Sequence, residues 1–220
     1  MSLPEEKAYL FTTKIPRVKP SEVRNTIEFN IEENVPLPAS ELIFDYSVAD
    51  LEGNVDHVGV IVSALPTKII DKYVETFQKA DIPLLSLEIE SQAMARCLIP
   101  KHTEDTRLIV HFGREKVGLY IAYKRIIHFT STVGIASDQR DDLGMLSQEI
   151  KKLYLYWHTL KDNAGEKSRQ ISSIIICGEN VDEKVAMYLT TQHGTPAVLG
   201  NVWTNAFSVS ETVPTIPYLD

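Results

Sequence analysis

From Arg107 to Lys161 the chain reads as three strands in close succession and then one long helix, and this run limits the fold more than any other stretch. Arg107–Phe112, Lys116–Tyr123 and Arg125–Thr132 are strand-length apolar runs, with Gly113 and the Lys124-Arg125 pair at the turns. From about Leu143 to Lys161, the residues Leu146, Ile150, Leu153, Tyr154, Trp157 and Leu160 recur at helical spacing and define a core face. Asp162 to Arg169 is a loop, and Ile171–Cys177 is an apolar run of the kind buried on both faces of a sheet. Gly178-Glu179-Asn180 is a turn, Val181–Thr191 a helix and Ala197–Leu199 a short last strand. The order is β-β-β-α-β-α.

The first hundred residues follow a different plan. Ala8–Thr13 is a strand, and Pro20-Ser21-Glu22 opens a helix with Ser21 as its N-cap. Val23, Ile27 and Ile31 form its buried stripe, with Arg24, Glu28, Glu32 and Glu33 on the other side. Val35-Pro36-Leu37-Pro38 ends the helix, because proline lacks an N–H and restrains the residue before it. Leu42, Phe44, Tyr46 and Val48 alternate with Ile43, Asp45 and Ser47 as a half-buried strand, and Val55–Ala64 returns beside it. A helix from Thr67 carries Ile69, Ile70, Tyr73, Val74 and Phe77 on one side and stops at Asp81-Ile82-Pro83. Leu84–Ile89 is read as a strand and Glu90–Leu98 as a short helix, with a polar hinge over Lys101–Asp105. Residues 20–89 are thus a small α-β-β-α-β unit with helices covering a sheet.

Charge narrows the partners. There are 22 basic and 30 acidic residues, a net charge of −8. Binding to a phosphate backbone needs a surplus of Lys and Arg, so nucleic acid is not an expected partner. The longest apolar run, near Val58–Leu65, is strand-length, far short of the roughly 20 residues that cross a bilayer, so direct membrane insertion is not expected. Met1-Ser2-Leu3 has no basic region leading into an apolar stretch and reads as the start of an internal fragment rather than a signal peptide. Cys97 and Cys177 show no metal-ligand spacing and fit reduced cytoplasmic thiols.

Chemical motifs are sparse. There is no G-x-x-x-x-G-K-[ST] and no G-x-G-x-x-G. A two-metal nuclease needs converging carboxylates, and the first core strand offers none. His128, His158 and His193 are scattered, with no nucleophile motif beside them. No catalytic or metal residue is assigned.

The element order from Arg107 is the ribonuclease-H-like arrangement that actin-like ATPases contain twice. Residues 21–48 carry a more specific resemblance: Ser21-Glu22-Val23, Ile27-Glu28, Val35-Pro36-Leu37-Pro38 and Glu41-Leu42-Ile43-Phe44-Asp45-Tyr46. This passage resembles the PilM family of type IV pilus assembly proteins, and Val60–Ala64 and Leu87–Ala93 with Ala95-Arg96 resemble the segments that follow. FtsA shares the architecture, but the Pro-Leu-Pro passage points to PilM. The fold class implied is mixed α/β: an actin-like, ribonuclease-H-like core half plus a small inserted α-β-β-α-β subdomain. Residues 1–19 would be a remnant of the first core half, 20–89 the insert, 90–105 the linker helix and hinge, and 106–220 the second core half.

The resemblance also implies sites. A nucleotide cleft would use His111, Gly113, Arg114, Lys116, Gly178 and Glu179. His111 stands where the family has an acid, and Glu179 stands where it has a second glycine, so the site reads as degenerate. Gly113 with Arg114 and Lys116 also reads simply as a hairpin turn. On this resemblance the first phosphate hairpin would lie upstream of residue 1, Val133–Met145 would be too short for the family's outer subdomain, and the closing helix would be missing after Asp220. No cofactor is expected in this fragment, whereas ATP with magnesium is expected of a longer parent. A partner groove would lie beside Glu28, Phe29, Glu32, Pro36, Pro38 and Tyr46, between the first core half and the insert. It would take a short cytoplasmic peptide of an inner-membrane pilus assembly protein, with other pilus components nearby. The implied role is a non-catalytic cytoplasmic scaffold, peripheral to the inner face of the membrane. The alternative is a nucleotide-binding switch or weak ATPase of the actin-like, FtsA-like group.

Overall fold

A computed structural model describes residues 1–49, 56–134, 143–161 and 163–205. The chain divides into two compact units, Met1–Glu90 and Ser91–Asp220.

The first unit contains β1 (Ser2–Leu3), β2 (Tyr9–Pro16), α1 (Pro20–Asn34), β3 (Leu42–Ala49), β4 (His57–Pro66), α2 (Thr67–Lys79) and β5 (Glu88–Ile89). The strands β2, β4 and β3 form an antiparallel sheet with β4 in the centre. Alternate residues of β4 face opposite ways. Val60, Val62 and Ala64 therefore meet α1, where Ile27 and Ile31 are fully buried, as the periodicity predicts. On the other face Leu65 packs with Leu3, Ile89, Ile70 and Tyr73.

Several local expectations change. The N-cap of α1 is Lys19 and not Ser21, because Pro20 has the fixed φ suited to the first helical position. The Glu22 carboxylate accepts the Lys19 N–H at 3.2 Å, which satisfies a donor at the helix start. Arg24 is not on a purely solvated side: it flanks the buried stripe, donates from Nη2 to the Phe44 carbonyl at 3.2 Å and lies 4.2 Å over the Phe44 ring. The strand expected over Leu84–Ile89 shrinks to Glu88–Ile89, since Ser2–Leu3 supplies only two residues of parallel partner, and Leu85 is 94% exposed. The first long strand, placed by sequence in a remnant of another half, runs to Pro16 and pairs along the whole of β4.

The second unit holds α3 (Glu90–Leu98), β6 (Thr106–Phe112), β7 (Lys116–Tyr123), β8 (Ile126–Gly134), α4 (Leu143–Thr159), β9 (Ile171–Gly178), α5 (Glu183–His193) and β10 (Ala197–Leu199). Its five-stranded sheet has the order β10-β9-β6-β7-β8. The pairs β6–β7 and β7–β8 are antiparallel, while β9 runs parallel to β6 and β10 parallel to β9. This is the arrangement expected of an actin-like core half. One sheet face buries Leu108, Val110, Leu119, Ile174 and Ile176 against Leu146, Ile150, Leu153 and Trp157 of α4 and Ala186 and Leu189 of α5. The Trp157 indole N–H donates to the Arg169 carbonyl at 2.6 Å, so the ring is buried with its polar atom satisfied. Lys124 and Arg125 form the β7–β8 turn with φ of 49° and 67°, left-handed values that most side chains avoid.

Candidate functional site

The sequence-predicted turns Gly113–Lys116 and Gly178–Asn180 meet at one end of the second unit's sheet. Parallel pairing aligns His111 with Cys177 and Phe112 with Gly178. Gly178 has φ +104°, and a Cβ there would collide with the Phe112 carbonyl oxygen, so both conformation and space require glycine. Immediately after it, the Glu179 N–H donates to that same carbonyl at 2.8 Å. The two turns are thus held together by backbone.

Beside them opens a pocket of about 600 Å³. Phe112, Val117, Leu143, Val185 and Tyr188 give it an apolar lining, and Gly113, Glu179, Asn180, Asp182 and Lys184 complete it. Of the residues assigned from the cleft resemblance, Gly113 and Glu179 line this pocket. Arg114 reaches it only through Glu179, its Nε lying 3.2 Å from the carboxylate in an ion pair whose arginine side chain is 86% exposed. His111 and Gly178 set the strand register beneath, and Lys116 closes the hairpin by accepting the Gly113 N–H at 2.9 Å.

The donors decide what this pocket offers. A phosphate cradle needs inward-pointing backbone N–H groups or an open helix N-terminus. Here the Gly113 amide goes to Lys116, the Glu179 amide goes to Phe112, and the N-terminus of α5 is taken by Asp182. The Asp182 carboxylate accepts from the amides of Lys184 and Val185 at 2.9 and 3.1 Å, so an acid of the chain already sits where an external anion would bind. The pocket is better matched to an apolar or planar group than to a polyphosphate. Sequence reasoning missed Asp182, Val185, Tyr188 and Leu143. An aspartate just before an amphipathic run is an N-cap signal, and it was available at Asp182.

The residues of the expected partner groove divide into two groups. Glu28, Phe29, Glu32, Pro36 and Pro38 are exposed, and Phe29 is 84% exposed, roughly 180° around α1 from the buried stripe at 100° per residue. Tyr46 is different: it packs into the core between α1 and the sheet. The Pro36 and Pro38 rings stand out because Val35 and Leu37, alternating with them, point into that core.

Three of the six histidines, His128, His158 and His193, are tied into the packing of the second unit. Burial pushes His128 down to about 4, with the Arg169 charge adding to the effect, and its ring stacks edge-on against Tyr123 and Trp157. His158, lowered by burial, accepts the Ile171 N–H at 3.1 Å, which requires an unprotonated Nε2. His193, also lowered by burial, lies 3.2 Å from the Ser147 hydroxyl and ties α5 to α4. Among the described residues no cluster of three or more His, Cys, Asp or Glu side chains is placed to hold a metal. No disulfide joins Cys97 and Cys177.

No protein-family model matches the sequence, and no curated protein sequence does. Solved structures do match. A chain of the PilM–PilN type IV pilus biogenesis complex aligns with a TM-score of 0.71 at 15% identity, covering 91% of this chain and 68% of that one. The cytoplasmic domain of EpsL, an inner membrane component of the type II secretion system of Vibrio cholerae, aligns with a TM-score of 0.51 at 12% identity, covering 94% and 77%. A weaker alignment, TM-score 0.40 at 11% identity, is to a Bacteroides thetaiotaomicron protein with an actin-like ATPase fold. Across nine-tenths of its length the chain therefore has the fold seen in the PilM–PilN complex, the fold its residues 21–48 anticipate.

Proposed function

We propose that this chain is a non-catalytic cytoplasmic scaffold of a type IV pilus or related assembly system, and that it binds a short cytoplasmic peptide of an inner-membrane partner. The observation that carries this reading is the TM-score of 0.71 over 91% of the chain to a PilM–PilN complex. The likeness to the cytoplasmic domain of a secretion-system membrane component supports the same setting. None of the described helices is long and apolar enough to cross a membrane, so in this reading attachment comes through the partner. The exposed ridge of Glu28, Phe29, Glu32, Pro36 and Pro38 is the proposed docking surface. An aromatic ring left 84% exposed is a ready anchor for a partner.

Fluorescence anisotropy with a labelled peptide from the membrane protein encoded beside this one, against a scrambled control, tests the proposal. Saturable binding that weakens about tenfold or more in Phe29→Ala, and measurably in Glu28→Lys, is expected. Neither change touches the core, so both variants keep the fold. Absence of binding by this chain and by a longer parent sinks the scaffold reading.

The second reading is a nucleotide-binding switch, and the pocket between the Gly113 and Glu179 turns favours it. Its ligand would be ATP with magnesium, with the base against Phe112 and Tyr188. The occupied amides and Asp182 weigh against the phosphates. A ligand that binds only the folded state raises the melting temperature in proportion to its excess over Kd. No shift with Mg-ATP, in this chain or a longer parent, removes this reading.

A further inference from the structure

Unpaired sheet edges invite strand addition, and natural proteins guard them with charge, proline, irregularity or short length. Among the described residues the two larger sheets present four edges. The β2 edge carries Lys14 and Pro16. The β3 edge carries Asp45, and Arg24 covers its Phe44 carbonyl. The β10 edge is three residues long. The β8 edge has a register shift opposite Ile121–Ala122, which leaves His128 as an extra residue. From Phe129 to Gly134 it then runs in regular register with β7 and carries no charged side chain.

That regular stretch reads Phe129-Thr130-Ser131-Thr132-Val133, a near-palindrome about Ser131. Phe129, Ser131 and Val133 lie opposite Ile121, Leu119 and Val117 of β7, so they share the face that α4 covers. Thr130 and Thr132 take the other face. Phe129 contacts Tyr156 of α4, with ring centroids 5.1 Å apart, and Tyr156 remains 47% exposed.

We propose that a second copy of this chain adds to the β8 edge, antiparallel, about a two-fold axis through Ser131. That axis stands perpendicular to the sheet and leaves each face on its own side. Ser131 then meets its counterpart, Phe129 meets the other copy's Val133 twice over, and Thr130 meets Thr132 twice. Aromatic with β-branched and threonine with threonine are favoured cross-strand pairs, and no like charges face one another. An isologous interface needs this self-complementarity, and Asp45 on β3 or Lys14 on β2 gives those edges none of it. The Tyr156 ring beside Phe129 adds apolar area on both sides of the axis.

Sedimentation across a concentration series tests the assignment, using the wild type, Ser131→Lys, Ser131→Glu and an equimolar mixture of the two variants. A reversible dimer is expected for the wild type. Each variant alone should be monomeric, because like charges then face each other about 5 Å apart. Mixing them should restore the dimer, since the charges become opposite. Restoration also shows that neither variant has unfolded. A wild type that stays monomeric throughout, variants that still dimerise alone, or a mixture that stays monomeric each overturns the proposal. None of these outcomes depends on peptide binding, so this test and the scaffold test fail separately.

Discussion

The helices α2 and α4 look alike in sequence and behave differently in the structure. Helix α2 sorts its residues cleanly, with Ile69, Ile70, Tyr73, Val74 and Phe77 on one side and Lys68, Asp71, Lys72 and Glu75 on the other, yet none of its residues is buried. Helix α4 buries Leu146, Ser147, Ile150, Leu153 and Trp157. The difference lies in what each is offered. α4 shares a five-stranded sheet face with α5, whereas α2 leans on a three-stranded sheet and reaches its small cluster through Ile70 and Tyr73. Periodicity states which face a helix can bury; the facing surface decides how much of it is buried.

The sharpest way to break this comparison is to truncate one ring on each helix. Trp157→Ala should cost about 3–5 kcal/mol in urea unfolding, from lost burial plus a cavity. Phe77→Ala, on the half-buried side of α2, should cost below about 1 kcal/mol. Equal losses would mean that α2 carries as much of the fold as α4.

Acid should separate the two units next. His128, His158 and His193 all lie in the second unit and all have lowered pKa values in the fold. The unfolded chain therefore binds more protons than the native one in this range, and stability rises with pH. The contribution is complete above pH 6.5, the ordinary histidine value, and is lost as pH falls toward about 4. For His128 alone the loss is about 3 kcal/mol, at 1.36 kcal/mol per pKa unit. Hydrogen exchange at pH 7 and pH 4.5 should show protection falling first in β6–β9, and earlier loss in β2–β4 would contradict the assignment.

A smaller effect is expected at Gly178. Alanine there meets both the left-handed φ and the Phe112 carbonyl, so a loss of about 2–3 kcal/mol is predicted from chemical denaturation. Gly134→Ala, with open space around the position, should change stability by less than about 0.5 kcal/mol. A loss of about 1 kcal/mol is expected in the first unit, where Arg24→Ala removes one hydrogen bond and one cation–ring contact.

The parts of the fold legible in the sequence are those whose partners lie close by. Three strands joined by tight turns and an amphipathic helix place β6, β7, β8 and α4 almost to the residue. Leu84–Leu87 misled because apolar composition does not supply a pairing partner, and Arg24 misled because it sits at the margin of a stripe. For the pocket, Gly113 and Glu179 were visible as turn residues. Val185 and Tyr188 were not, since a lining residue on a helix has the same spacing as a core residue. The grouping of Tyr46 with Phe29 came from the family resemblance, and the turn of α1 sends Phe29 away from the core against which Tyr46 packs.

The Lys124-Arg125 turn bears on how the second unit reaches its fold. A two-residue hairpin link prefers Asn-Gly because both positions take left-handed φ, and here two long cationic side chains hold them at 49° and 67°. Closing this link is the most local step in building the unit's sheet, and both of its residues close it in a conformation that L side chains disfavour. Replacing the pair with Asn-Gly should add about 1 kcal/mol of stability. If the hairpin is formed in the transition state, that gain will appear mainly as faster refolding in stopped-flow experiments, with little change in the unfolding rate. Nucleation speed would then be a trait this chain has left open to improvement, held back by two residues that keep their charge at the tip of a strained loop.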